Sequence, residues 1–156
     1  MSVSVIDATS TGSTGTVMVS GNMPAFSAYA SGGASLSSGT STKVQFNTKV
    51  FDTANCFDAT TNYRFTPNVA GYYQVNFGIG VNTAAVIQPA IYKNGSNFYS
   101  GQYGTAANIY NTTMSALIYM NGSTDYIEFY CYSNASTVVN TSSSNTWVQA
   151  SMVRAA

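Results

Sequence analysis

The sequence of 156 residues contains no histidine. Histidine is the commonest general base and metal ligand in proteins, so Ser-His-Asp and Cys-His catalytic arrangements are impossible here. A pair of catalytic carboxylates could come only from five acidic residues. Two of them, Asp125 and Glu128, would lie on opposite faces of the strand predicted for that segment. The sequence therefore predicts a protein that is not an enzyme and that holds no cofactor.

Charged residues are also scarce. They form 6% of the chain, against about 25% in a typical soluble protein, and the net charge is zero. The five basic residues are scattered, whereas binding to a nucleic-acid backbone needs a concentrated basic patch. We therefore expect no nucleic-acid partner. A surface of hydroxyl and amide groups suits a protein held in an assembly, because near-zero net charge favours association.

Long apolar runs are missing as well. No run approaches the ~18 residues that cross a bilayer, so no membrane insertion is expected. The first residues lack the basic start and apolar stretch of a signal peptide, which predicts folding in the cytoplasm. In that compartment the two cysteines, Cys56 and Cys131, are expected to be free thiols rather than a disulfide. Cys131 alternates in phase with Ile127 and Phe129, where a small buried side chain would lie.

The segment from Phe57 to Val81 carries the clearest structural pattern. From Tyr73 to Val81 it alternates apolar side chains with polar ones or glycine, which is typical of a β-strand with one face in a core. Pro67 cannot donate to a strand ladder, and Gly71 can adopt backbone conformations closed to other residues. The segment is therefore predicted to be the core hairpin of the domain.

The rest of the chain from residue 23 onward reads as strands and turns. This spacing, without helical periodicity, predicts an all-β sandwich or barrel. Asn-Gly follows an apolar strand end at 91–95 and again at 118–122, which predicts two tight hairpins. A Gly/Ser-rich loop is predicted from Ser31 to Thr42. The candidate strands are 25–30, 43–51, 55–58, 63–66, 71–82, 85–93, 97–103, 107–120, 125–133 and 146–154.

The order of motifs around this segment resembles a known family. Phe57-Asp58, then Phe65-Thr66-Pro67, Gly71 and Tyr72-Tyr73 resemble the signature of complement globular-head and tumour-necrosis-factor-like domains, in the form found in bacteriophage tail or head fibre proteins. The resemblance implies an antiparallel jelly-roll β-sandwich of about ten strands that assembles as a trimer. It also implies adhesion or capping rather than enzymatic activity.

The resemblance extends over roughly residues 24 to 154. There are two departures from the family pattern: Ser123-Thr124 separates Gly122 from Asp125, and the last strand lacks the usual glycine. The flanking segments that match are Pro24–Ala28, Val44–Asn47, Ile91–Gly95, Leu117–Gly122 and Asp125–Glu128.

Some predicted strands are apolar or aromatic on both faces, whereas a lone antiparallel sandwich has one wet face per strand. Tyr126, Tyr130 and Tyr132 oppose the core-phased residues of one strand, and Leu117 and Tyr119 do so in another. Large exposed apolar patches usually mark partner surfaces, and tyrosine is enriched at interfaces. These five residues are therefore predicted to form an oligomer interface. The pattern indicates only that something covers the second face; the trimer follows from the resemblance.

Two polar, tyrosine-containing segments, 97–110 and 132–145, are candidate ligand loops. Aromatic faces together with amide donors suit sugar rings, and binding residues concentrate on loops of rigid scaffolds. The candidate contacts with a host-surface glycan are Tyr99, Gln102, Tyr103 and Asn108. Since Tyr, Asn and Ser are abundant throughout, a purely structural loop is the alternative for each. Trp147 is predicted to be buried at the sandwich edge.

Some relatives in the resembled family hold calcium near the trimer axis. Calcium takes six to eight oxygen ligands, usually with several carboxylates, and this sequence has no acidic cluster. A site shared by three subunits could use Asp125 or Asp52 from each. No metal site is predicted within one chain.

Residues 1–22 are rich in Ser, Thr, Gly and Val and are predicted to be an N-terminal attachment arm, the end of a fibre shaft or a flexible leader. Residues 23–156 are the predicted jelly-roll head. The expected function is a non-enzymatic virion structural protein on the virion surface: a trimeric fibre tip that attaches to the host and joins other virion proteins through the arm. A capsid decoration or fibre-capping protein without receptor binding is one alternative, and a secreted bacterial lectin-like module is another.

Overall fold

A computed structural model describes residues 23–104 and 111–156, and over these ranges the chain is all β, with no helix. Every strand pairing is antiparallel, which confirms the predicted fold class. The strands are β1 (Ala25–Tyr29), β2 (Ser35–Leu36), β3 (Thr40–Lys43), β4 (Thr48–Asp52), β5 (Phe57–Asp58), β6 (Arg64–Phe65), β7 (Gly71–Gly80), β8 (Ile87–Lys93), β9 (Ser96–Ser100), β10 (Asn111–Met120), β11 (Ile127–Ser133), β12 (Thr137–Val138) and β13 (Trp147–Ala155).

The strands form two main sheets with a jelly-roll order. Sheet I has the order β10-β7-β13-β1-β4, and sheet II has the order β5-β6-β11-β8-β9 with β3 beside β11. Strands β2 and β12 form a small separate pair. From β3 onward the chain passes repeatedly between the two sheets, so most strands pair with partners distant in sequence.

The core lies between the sheets, and its largest fully buried side chains are aromatic. Along β7, alternate residues from Tyr73 to Ile79 have no solvent exposure, as their two-residue period predicts. Phe65 meets Tyr73 edge-on at 5.3 Å between ring centroids, and Phe77 meets Phe129 at 5.2 Å. Such pairs stabilise a core by about 0.5–1.5 kcal/mol beyond the area they bury.

The segment after Phe65 is a crossover between sheets, so its prediction as a hairpin is wrong. Strand β6 lies in sheet II, whereas β7 lies in sheet I. The Tyr73 hydroxyl donates to the Val69 carbonyl at 2.7 Å and fixes the turn. Gly71 does not use its conformational freedom, since its φ is not positive. A glycine is needed there because a Cβ would overlap the Arg154 carbonyl and lie 3.0 Å from Ala155 Cα.

One of the two predicted Asn-Gly hairpins is present. Between β8 and β9, Asn94 and Gly95 have φ values of 52° and 81°, as a tight hairpin requires. The second is wrong, because β10 lies in sheet I and β11 in sheet II. There the Asn121 side-chain oxygen accepts the N–H groups of Thr124 and Asp125, so Asn121 caps a loop instead of entering a two-residue turn.

The predictions around β3 and β4 also need correction. The strand predicted at 43–51 is divided, because β3 belongs to sheet II and β4 to sheet I, with the chain crossing between them. Val44 N–H still bonds to the Phe129 carbonyl, and Val44 and Phe46 are both fully buried at the crossing. The segment predicted as a loop, 31–42, contains β2 and most of β3. Because these short strands consist mostly of serine and threonine, the sequence has no apolar alternation there that would predict them. Residues 107–110 of one predicted strand lie outside the described residues.

We predict that Gly122→Ala destabilises the domain much more than Gly39→Ala. Both glycines have positive φ, at 72° and 75°, so each alanine costs about 1–2 kcal/mol of backbone strain. A Cβ at Gly39 meets nothing within 4 Å, whereas one at Gly122 would overlap the backbone of Ala70. Overlap of this kind adds about 1–3 kcal/mol. Urea unfolding measures the difference; equal midpoints for the two variants would contradict it.

Candidate interaction surfaces

Within residues 23–104 and 111–156, the carboxylates are engaged inside the subunit. Among the described residues, no three His, Cys, Asp or Glu side chains come together as a metal site would require. Asp52, one candidate for shared calcium, accepts the N–H groups of Cys56 and Phe57 at 3.0 and 3.1 Å and pairs with Lys49 at 3.1 Å. Burial raises the pKa of Asp52, but these bonds together hold it below its ordinary value.

Asp125, the other candidate, joins the ends of three strands. It is nearly buried, pairs with Lys93 at 2.9 Å and accepts the Asn94 side-chain amide at 2.8 Å and the Asn121 N–H at 3.1 Å. Burial raises the pKa of Asp125, and the bonds from Asn94, Lys93 and Asn121 outweigh it, so the pKa is lowered. The carboxylate therefore connects the β8–β9 hairpin to the crossover after β10.

Both cysteines are free and buried, as predicted for Cys56 and Cys131. Burial raises the pKa of each thiol to about 12, and the nearby Asp52 carboxylate adds to the effect at Cys56. Both thiols are therefore protonated at neutral pH. The thiolate is the reactive form, so burial disfavours reaction at either side chain.

An exposed apolar cluster lies on the outer face of sheet I. We call it the apolar patch, and it consists of Tyr72, Leu117, Tyr119 and Val153, which are 41–53% exposed. Tyr72 and Tyr119 face each other across β7 and β10, with ring centroids 5.5 Å apart. A groove of about 560 Å³ runs beside the cluster.

The sequence predicted Leu117 and Tyr119 here but missed the other two members. Tyr72 directly precedes the buried Tyr73, so the alternation along β7 already indicated that the Tyr72 side chain points away from the core. Val153 is out of phase with the buried Ala150 and Met152, so alternation along β13 was the available signal for it as well. Next to the patch, Ser115 bonds to Asn76 at 2.8 Å and to Gln74 at 2.8 Å.

The other predicted interface residues lie on the opposite side of the molecule. Tyr130 and Tyr132 point outward from β11 in sheet II, and Tyr126 precedes that strand beneath the Arg64 guanidinium, which lies 4.4 Å from its ring centroid. All three are half-buried. The five predicted interface residues therefore do not form one surface.

Three of the four predicted ligand contacts can be located. Gln102 and Tyr103 are exposed, and Tyr103 packs edge-on against Tyr132 at 5.8 Å. Tyr99 is also exposed, but it pairs with the buried Ile91. Its side chain therefore points to the same side of sheet II as Ile91, away from the face that carries Tyr132. Asn108 lies outside the described residues.

Trp147 is half-buried rather than buried. Its indole nitrogen would lie 2.9 Å from a Cβ at Gly78, so the ring rests on that glycine in the neighbouring strand β7.

The architecture defines a class of protein: this is a jelly roll of the tumour-necrosis-factor-like type. It is similar to murine APRIL, at 9% identity with a TM-score of 0.64, covering 84% of this chain and 99% of that one. It is also similar to PRD1 vertex protein P5, at 17% identity and 0.61, covering 84% and 97%, and to Eiger TNF from S. frugiperda, at 11% and 0.59, covering 86% and 93%. These identities show the fold alone, which confirms the resemblance at that level.

No family model and no curated protein matches the sequence. Within the described residues, no helix is long and apolar enough to cross a membrane.

We predict that Asp125→Asn destabilises the domain at neutral pH and weakens its acid sensitivity. The folded-state pKa of Asp125 lies below the unfolded value, so its contribution is present above about pH 4 and is lost as pH falls through the folded-state pKa. Loss of the carboxylate leaves Lys93 and Asn94 with weaker partners, at a cost of about 1–3 kcal/mol.

Urea unfolding at pH 7, 5 and 3 measures both effects. The free energy of unfolding should differ between native and Asp125→Asn protein at pH 7 and converge towards pH 3. A constant difference across the three pH values would contradict the prediction.

Proposed function

We propose that this protein is a non-enzymatic virion structural protein, a trimeric jelly-roll head that attaches the particle to a host surface. The observation that carries the proposal is the apolar patch on sheet I. In a chain with 6% charged residues, a cluster of this kind on an otherwise complete sandwich favours association with a partner.

A second copy of this chain fits the patch. Tyrosine and aliphatic side chains together are typical of interface cores. The adjoining polar side chains Gln74, Asn76 and Ser115 bond to one another, so covering them leaves fewer groups without a partner. The tumour-necrosis-factor-like resemblance implies that the assembly is a trimer.

The virion role is supported by the fold. PRD1 vertex protein P5 has a similar fold over 97% of its own chain. The motifs around β6 and β7 also resemble those of phage fibre proteins. Residues 1–22 lie outside the described residues, and we propose that they connect the head to other virion proteins. A decoration protein without a receptor would have the same fold and the same trimer, so attachment itself distinguishes the two.

We predict that Leu117→Asp converts the trimer into monomers at micromolar concentration. Leu117 is 53% exposed in the single subunit, so the change costs an isolated subunit little. Within an interface it would bury an unpaired charge, which costs several kcal/mol. Light scattering at neutral pH measures the mass. Ser41→Asp, on the outer face of sheet II, is the matched control and should remain trimeric. A monomeric native protein would overturn the oligomer proposal.

We predict that the purified full chain binds saturably to cells of the host that supports the virus and competes with virion adsorption. Fluorescently labelled protein and an adsorption assay measure this. Absence of binding together with the chain located on the capsid would instead establish decoration. A chain located on no particle would overturn the virion role.

A variant lacking residues 1–22 should bind the cells as a folded trimer but should not be incorporated into particles.

A further inference from the structure

We propose that the outer face of sheet II is a binding surface for an uncharged polysaccharide, with a tyrosine band as its platform. The band consists of Tyr92, Tyr103, Tyr130 and Tyr132. This inference rests on the proposed attachment function, for which it names the site and the ligand chemistry. The band brings together residues for which the sequence predicted different roles: Tyr103 was predicted as a ligand contact, whereas Tyr130 and Tyr132 were predicted in a subunit interface.

The two outer faces of the sandwich differ in chemistry. The patch on sheet I mixes tyrosines with Leu117 and Val153, and on the same sheet Val50 is 65% exposed. On sheet II, the described outward residues of β8 and β11 are tyrosines, Gln88, Glu128 and the small, buried Ala90. Aliphatic surface favours another protein, whereas aromatic rings that carry hydroxyls suit a ligand with both C–H faces and hydroxyl groups.

The rings of the band hold one another in place. Tyr92 stacks on Tyr130 with 3.9 Å between centroids and 24° between planes, and Tyr103 packs edge-on against Tyr132 at 5.8 Å. Because Tyr130 and Tyr132 are two residues apart on β11, the two ring pairs lie side by side on one face. Rings fixed before binding lose little conformational entropy when a ligand covers them.

Few charges lie near the band, and two of them pair with each other. Lys43, opposite Tyr130 in the neighbouring strand, forms an ion pair with Glu128. Arg64 is directed at the ring of Tyr126, beyond the end of the band. An anionic polymer would need a concentrated row of basic groups, and this surface has none among its described residues. The ligand that fits is therefore uncharged.

Hydrogen-bonding groups border the rings. Gln88 lies opposite Tyr132 and donates to the Gly101 carbonyl at 2.9 Å, while Ser41 lies opposite Tyr132 on its other side. On the adjoining strand, Ser100 lies opposite Ala90, beside the Tyr92–Tyr130 pair. Amides and hydroxyls around an aromatic platform supply the few directional contacts that orient a ligand.

The experiment uses the full chain on an array of immobilised bacterial capsular polysaccharides, O-antigens and glucans, with anionic polysaccharides present for comparison. We expect binding to one or more uncharged polymers. Tyr132→Ala should weaken it roughly tenfold or more, because the ring contact is lost. Tyr132→Phe keeps the ring and should retain most of the affinity. Tyr99→Ala is the control, since Tyr99 lies on the other side of β9 and should have no effect.

Light scattering and thermal unfolding establish that each variant is a folded trimer, and Tyr103→Ala replaces Tyr132→Ala if the latter fails to fold. The proposal is overturned if no uncharged polysaccharide binds, if anionic polymers bind in preference, or if the alanine variants bind as the native chain does. The attachment function can survive those results: if the same protein still binds host cells and protease treatment of the cells abolishes that binding, the receptor is a protein and only the polysaccharide inference fails.

Discussion

The packing of β7 between its two neighbours and the opposite sheet is the constraint on which the remaining structure depends. Its buried face supplies Tyr73, Val75, Phe77 and Ile79 to the core, while its backbone pairs with β10 on one side and β13 on the other. A one-residue shift in this register would turn every one of these side chains towards solvent. The outer face of sheet I, including Tyr72, is therefore fixed in position by what the inner face must bury.

The sequence predicted those parts of the fold that a single strand encodes. Alternation along β7 and β11 identifies the buried side chains correctly, because each strand has one face in the core. It could not show which sheet a strand joins. Asn94-Gly95 closes a hairpin, yet Asn121-Gly122 opens a crossover. In the second motif the Asn121 side chain caps the N–H groups of Thr124 and Asp125, and the backbone of Ala70 packs closely against Gly122.

The interaction surfaces were predictable in composition but not in arrangement. The out-of-phase tyrosines and Leu117 predicted aromatic and apolar side chains that point away from the core; those on β10 are exposed and those of the Tyr126–Tyr132 segment are half-buried. Whether such residues share a surface depends on sheet membership, and here Leu117 and Tyr130 lie on opposite faces of the sandwich. Val153 is exposed because it alternates with the buried Met152, and the strand itself carries that signal. Only the pairing of β13 with β7, which places Val153 near Tyr72, has no signature in the strand.

The repeated passage of the chain between sheets has a kinetic consequence. Among the strands that the structure describes, only β5–β6 and β8–β9 are neighbours both in sequence and in a main sheet, so most ladders join segments that must first close long loops. Folds of such high contact order form slowly, and interactions that assemble late in folding chiefly slow unfolding. We therefore expect slow folding in this architecture, and any contact that forms after the transition state chiefly lengthens the lifetime of the folded chain.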